Sequence, residues 1–164
     1  MRFIKQFFEK NAPAPKPAPG AVRPEVCEQA ARGFEDVYRN HPPEQMPWFW
    51  AELDPDFSKA LADYGLSHGS AVDLGGGSGT QAIALAKLGF TATCPDFSAG
   101  ALDGGRKLAQ EANVQVDFRY DDVTHTQLKS RFDLVLDRGC FHIIAPARRP
   151  DYLQTVLQCL APQG

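Results

Sequence analysis

Eight consecutive residues, Asp73 to Thr80, carry the densest chemical signal in this 164-residue chain: an acid, Leu74, then Gly75, Gly76, Gly77, Ser78, Gly79 and Thr80. Apolar Ala71 and Val72 precede them, and the good helix formers Gln81 to Lys87 follow. That order predicts a strand, a tight turn and a helix. Glycine belongs in such a turn because a Cβ would obstruct positive φ angles and the close approach of a ligand to backbone. The following helix directs unpaired N–H groups and its positive dipole end toward the same place. One frame, Gly77-x-Gly79-x-x-Ala82, fits the loose dinucleotide pattern G-x-G-x-x-G/A. Asp73 argues for a different ligand. A carboxylate beside the turn repels a pyrophosphate and attracts a cation.

Three further segments end in acids or polar turns. Phe90 to Asp96 reads as a second strand, and its terminal acid lies 21 residues beyond Gly75, a spacing that suits hydrogen bonding to ribose hydroxyls. Ser98 is a natural N-cap for the helix after it. Val114, Val116 and Phe118 alternate, which predicts a third strand running into Asp121 and Asp122. Phe132 to Leu136 reads as a buried fourth strand. It breaks into the polar turn Asp137 to His142 at the carboxyl end of the sheet, where open α/β sheets bind ligands.

As a set, the D-x-G-x-G-x-G run from Asp73 to Gly79, the D-x-S of Asp96 and Ser98, and the acids after strand three resemble class I S-adenosylmethionine-dependent methyltransferases. Asp137, Arg138 and Gly139, followed by Pro146, Arg149 and Tyr152, are similar in spacing to the segment after strand four of the thiopurine and tellurite-resistance-type small-molecule group. The glycine loop departs from the thiopurine enzymes, so their substrate does not carry over. The resemblance spans about Trp48 to Gly164. It implies a Rossmann-like parallel sheet in strand order 3-2-1-4 with flanking helices, an S-adenosylmethionine cofactor with S-adenosylhomocysteine as product, and a small-molecule methyl acceptor. It also implies cofactor contacts from Asp73, Gly75, Gly77, Gly79, Asp96, Phe97, Asp122 and Asp137. Asp73 would stand beside the cofactor's ammonium group and Asp122 or its neighbour Asp121 beside the adenine amino group. Asp137, Arg138 and Cys140 would flank the reacting methyl group, with Arg138 facing the acceptor and His142 lining the pocket; the expected catalytic set is Asp137, Arg138 and His142, with Asp137 or His142 as general base. Other roles are open: an ion pair for Arg138, and pocket wall or core packing for Cys140 and His142.

Two helices lead into this core. One starts at Arg23-Pro24, carries Val26, Ala30, Phe34 and Val37 on one face, and stops at His41-Pro42-Pro43. The other, near Asp54 to Gly65, ends at its glycine. Between them, Met46-Pro47-Trp48-Phe49-Trp50 either packs a helix on the sheet or covers the cofactor, since cations are drawn to ring faces. Four strands are accounted for, and Ala161 to Gly164 reads as the turn before a fifth. The expected domain, residues 21–164, therefore breaks off before strand five. Strand four then forms a bare edge that invites self-association.

Residues 1–20 form a separate leader. Phe3, Ile4, Phe7 and Phe8 share one face of a short basic helix, and residues 12–19 read Ala-Pro-Ala-Pro-Lys-Pro-Ala-Pro, an extended spacer. Residues 1–10 suit docking on a membrane surface or a partner, or packing on their own domain. The leader lacks the apolar core of a secretory signal.

The composition, 43% hydrophobic and 23% charged, is that of a globular protein. With net charge −3 and no basic stripe, it argues against phosphate-dominated nucleic-acid binding. Cysteines 27, 94, 140 and 159 include no C-x-x-C pair, which predicts reduced thiols in the cytoplasm and no zinc site. Two competing functions share these features: a nonenzymatic S-adenosylmethionine-binding scaffold recruited through its leader, and a nucleotide-dependent oxidoreductase, which Asp73 disfavours.

Overall fold

The structure, a computed structural model, describes residues 33–164. The leader, the proline-rich spacer, the start of the first helix and Cys27 lie outside them.

Four strands form one parallel sheet: β1 (Gly69–Asp73), β2 (Phe90–Asp96), β3 (Val116–Tyr120) and β4 (Leu134–Leu136), in the spatial order β3-β2-β1-β4. The expected strand order is thereby met. Strand β2 matches its predicted limits, because its seven residues are almost wholly buried and leave no ambiguity of period. Strand β4 is shorter than its apolar run. Asp133 turns its carboxylate back to accept from the amide and hydroxyl of Ser70, both at 2.8 Å. Phe132 instead pairs outward, in a single parallel bridge to Leu160.

The helices are α1 (residues 33–40), α2 (Pro55–Asp63), α3 (Thr80–Lys87), α4 (Ala99–Glu111) and α5 (Arg149–Cys159). Their limits follow from local chemistry. Asp54 caps α2 by accepting from the Asp56 amide, with Pro55 in the first turn. Ser98 caps α4 by accepting from the Ala101 amide at 3.0 Å. Three glycines, Gly100, Gly104 and Gly105, lie in α4, and in a helix interior each costs about 1 kcal/mol relative to alanine. Gly105 has a packing reason, since a Cβ there would come within 2.6 Å of the Phe118 ring and 2.7 Å of the Ser78 carbonyl.

The core lies on both faces of the sheet. Val72, Leu74, Leu128, Phe132, Tyr152 and Cys159 pack β1 and β4 against α5. Leu61, Ala71, Leu85, Phe90 and Leu136 join the opposite face to α2 and α3. Burying these side chains supplies roughly 1.5–3 kcal/mol for each large apolar residue. The resulting platform holds the carboxyl ends of β1, β2 and β4 side by side.

Candidate active site

A cleft of about 290 Å³ opens at those carboxyl ends. Its floor is the turn between β1 and α3. Gly75 and Gly77 have φ of +64° and +59°, which side-chain-bearing residues rarely adopt. A Cβ at Gly75 would run into Cys140 Sγ, and one at Gly77 into the Tyr38 hydroxyl. The turn is thus closed over from two sides and must stay bare. Its backbone is held by the Gly75 amide on the Pro95 carbonyl and the Gly79 amide on the Gly76 carbonyl.

Asp73 ends β1 beneath Gly76 and is 2% exposed. Neither of its carboxylate oxygens has a hydrogen-bond partner among the described residues. Burial, then repulsion from Asp137, pushes its pKa up to about 7, although the Ala82 amide offsets part of the shift without reaching bonding geometry. A buried, unbonded carboxylate on a ligand cleft is unstable by itself and asks for a cationic donor.

Asp96 ends β2. One oxygen accepts from the Gly77 amide and the other from the Ser98 amide, each at 2.8 Å. Burial raises its pKa, and these two amides counter the shift. Asp96 therefore ties the glycine turn to the start of α4 while still lining the cleft with Phe97.

The two acids after β3 separate. Asp121 lines the cleft and is buried. It accepts from the Gln127 amide and from the Thr126 hydroxyl. Asp122, the expected adenine partner, does not line the cleft. Its carboxylate accepts from the amide and hydroxyl of Thr124 and stands near Arg148. The Asp121 amide still pairs with the Asp96 carbonyl at the end of the sheet, whereas the Asp122 carbonyl accepts from the His125 amide and opens the following turn, so the two side chains part.

The turn after β4 also differs from expectation. Asp137 does not line the cleft. It accepts from the Cys140 and Phe141 amides, both at 2.9 Å, and from the Tyr152 hydroxyl, and so anchors the loop to α5. Arg138 lines the cleft but is engaged. Its Nε donates to Asp54 at 3.0 Å, Nη1 donates to the Trp48 carbonyl at 3.0 Å, and the guanidinium lies over Trp50. Cys140 and His142 complete this wall. Burial drives the Cys140 thiol above its ordinary pKa, which favours the protonated thiol. Gly79 does not line the cleft either. It is the left-handed residue that opens α3.

Three contributors escaped the sequence reading. Tyr38 stands over Gly77, accepts from Trp48 Nε1 at 2.8 Å, and has its pKa pushed up to about 12 by burial. Glu35 accepts from the Ser98 hydroxyl at 2.7 Å and the Gly100 amide at 3.0 Å, which pins α1 to the start of α4. Gln81, fully buried, accepts from the Asp54 amide and donates to the Glu52 carbonyl, which pins the aromatic segment to α3. Each joins residues far apart in the chain. Only the spacing of Phe34 and Val37 hinted that α1 returns to the core.

A parallel sheet crossed by helices, with a glycine turn at the end of β1 and an acid at the end of β2, defines the Rossmann-like class. The family of methyltransferase domains matches residues 71–164, and the chain belongs to it. It is 31% identical over 135 residues to a 2-heptyl-1-hydroxyquinolin-4(1H)-one methyltransferase of Mycobacteroides abscessus, covering 79% of this chain and 59% of that protein. A structure solved in work on the conversion of a disulfide bond into a thioacetal group during echinomycin biosynthesis has a TM-score of 0.71 at 30% identity. That match covers 81% of this chain and 56% of the other. The Burkholderia thailandensis 1,6-didemethyltoxoflavin-N1-methyltransferase, solved with 1,6-didemethyltoxoflavin and S-adenosylhomocysteine bound, has a TM-score of 0.70 at 25% identity. It is matched over 91% of this chain and 64% of its own. The chain thus spans less than two thirds of the length of each of these proteins.

Among the described residues, no helix is long and apolar enough to cross a membrane, and no three His, Cys, Asp or Glu side chains gather as metal ligands.

Proposed function

We propose that the protein transfers a methyl group from S-adenosylmethionine to a small-molecule acceptor. The observation that carries this reading is Asp73, whose two buried, unbonded oxygens face a cleft floored by bare backbone. When bound, S-adenosylmethionine supplies a methyl group already activated by its sulfonium. The chain's tasks are then to bind, align and exclude water.

Asp73 pairs with the ammonium of the cofactor's amino-acid end, which approaches the turn at Gly75 to Gly77. Asp96 serves the ribose, helped by Phe97. The segment from Asp121 to Val123 meets the adenine, with Asp121 the better-placed acid. Asp137 is a positioning residue that holds the loop bearing Cys140 and His142. Arg138 locks the aromatic segment over the cleft through Asp54 and the Trp48 carbonyl. The related proteins act on 2-heptyl-1-hydroxyquinolin-4(1H)-one and 1,6-didemethyltoxoflavin, which supports a small acceptor here.

Three coarser expectations stay with this reading. Residues 21–164 form the methyltransferase domain behind a leader that docks on a membrane surface or a partner. The protein acts in the cytoplasm, as an acidic chain with reduced thiols suits. The outer edge of β4 pairs with a second copy.

Calorimetric titration tests the cofactor assignment. S-adenosylmethionine and S-adenosylhomocysteine bind, NAD does not, and Asp96→Asn weakens both ligands. Binding of NAD alone would sink the assignment in favour of an oxidoreductase.

A further inference from the structure

Beyond the cofactor floor, the cleft is an aromatic slot with little usable charge. Phe34, Tyr38, Trp48 and Phe49 line it. The Trp48 ring packs edge-on against Phe34 at 5.8 Å and against Tyr38 at 6.1 Å, and its indole N–H is fixed on the Tyr38 hydroxyl. Trp48 nevertheless stays 42% exposed. A large ring held this firmly while still facing water is ready to receive another flat ring, because little side-chain entropy remains to be lost.

The charges define what that ring can carry. Three carboxylates, Asp73, Asp96 and Asp121, line the cleft, against the single guanidinium of Arg138. That guanidinium is already paired with the Asp54 carboxylate and donates a further hydrogen bond to the Trp48 carbonyl. Among the described lining residues, an anionic acceptor would find no guanidinium or ammonium group free to pair with it. The possible proton acceptors are also few. The Tyr38 hydroxyl is bonded to Trp48, and Asp137 is saturated by three donors away from the cleft. His142 lines the cleft, is exposed at its mouth, and packs over Gly139, where a Cβ would come to 3.2 Å from its Cε1.

We propose that the acceptor is a flat, uncharged heteroaromatic molecule bearing one acidic O–H or N–H, stacked beside Trp48, and that His142 takes its proton. The inference rests on the cofactor assignment above. The acceptor's oxygen or nitrogen bonds to the methyl carbon as the bond from that carbon to sulfur breaks. Sulfur keeps the electron pair and becomes a neutral thioether. The acceptor's proton passes to an imidazole nitrogen of His142 and from there to solvent.

The test uses the full chain saturated with S-adenosylhomocysteine and titrated calorimetrically with 4-hydroxyquinoline and with 4-hydroxyquinoline-2-carboxylate. The neutral probe binds and the carboxylate binds at least about ten-fold more weakly. Trp48→Ala weakens the neutral probe by about ten-fold, and Trp48→Phe restores it to within about three-fold. Equal or tighter binding of the carboxylate, or indifference to Trp48→Ala, overturns the proposal. Failure of 4-hydroxyquinoline to bind while S-adenosylhomocysteine does so overturns the proposal and spares the cofactor assignment. Failure of S-adenosylhomocysteine itself overturns both. In single-turnover methylation of the same probe, His142→Gln slows methyl transfer by at least about ten-fold. An unchanged rate in the variant removes His142 from the role.

Discussion

Asp73 sits with both carboxylate oxygens buried and unbonded, so ionising it costs the fold free energy. Its folded pKa of about 7 stands above the ordinary value of 3.8. The folded state therefore holds the proton more tightly, and the group subtracts stability as pH rises between those two values. Below about pH 4 both states are protonated and the cost vanishes. Asp73→Asn should thus raise stability by a few kcal/mol at pH 8, at most about 4, and leave it unchanged at pH 3.5. The same variant should bind S-adenosylhomocysteine at least about ten-fold more weakly. Denaturant melts at the two pH values and one titration check both halves. The acids after β3 offer a second comparison. Asp121→Asn should weaken the same ligand more than Asp122→Asn does, because only Asp121 lines the cleft. The reverse order of affinities would return the adenine role to Asp122.

At the scale of elements, α1 is a roof held by a few polar contacts. Hydrogen bonding to Ser98, above all, holds the Glu35 carboxyl below its ordinary pKa of 4.5, and the Gly100 amide and Arg39 add to this. A depressed carboxylate pKa gives stability that is present above 4.5 and lost as pH falls below it. Glu35→Gln should cost about 1 kcal/mol at pH 7 and progressively less as the pH falls below 4.5, as read by thermal melts. The roof also reaches the glycine turn through Tyr38. Gly77→Ala should destabilise by about 1–2 kcal/mol from its left-handed backbone alone, with more from the collision with the Tyr38 hydroxyl. Tyr38→Ala should recover only the collision part, and a double-mutant cycle separates the two.

At the scale of the whole molecule, the sheet presents its ligand-binding ends on one side and an open strand on another. A ligand that binds only the folded state stabilises it by about 2.7 kcal/mol at a hundred-fold excess over its Kd. S-adenosylhomocysteine should therefore raise the melting temperature by several degrees, and NAD at equal concentration should not. Just before β4, Phe132 makes one parallel bridge, to Leu160, among the described residues.

Much of this was written locally. The limits of β2, the cap at Ser98 and the bare turn after Asp73 follow from short-range rules of period, capping and steric freedom, whereas the strand order came from the family resemblance. Those rules act between near neighbours, so a linear reading reaches them. The cleft's walls obey no such rule. Tyr38 meets Gly77, Glu35 meets Ser98, Arg138 meets Asp54 and Gln81 meets the Asp54 amide only because the sheet stacks its crossovers. Asp137, expected at the cofactor, accepts from three donors of its own loop and α5, and of the two acids after β3 Asp121 lines the cleft where Asp122 does not. Which polar group stays unbonded, and is thereby left for a ligand, depends on every partner brought within 3 Å, and only the tertiary packing decides that.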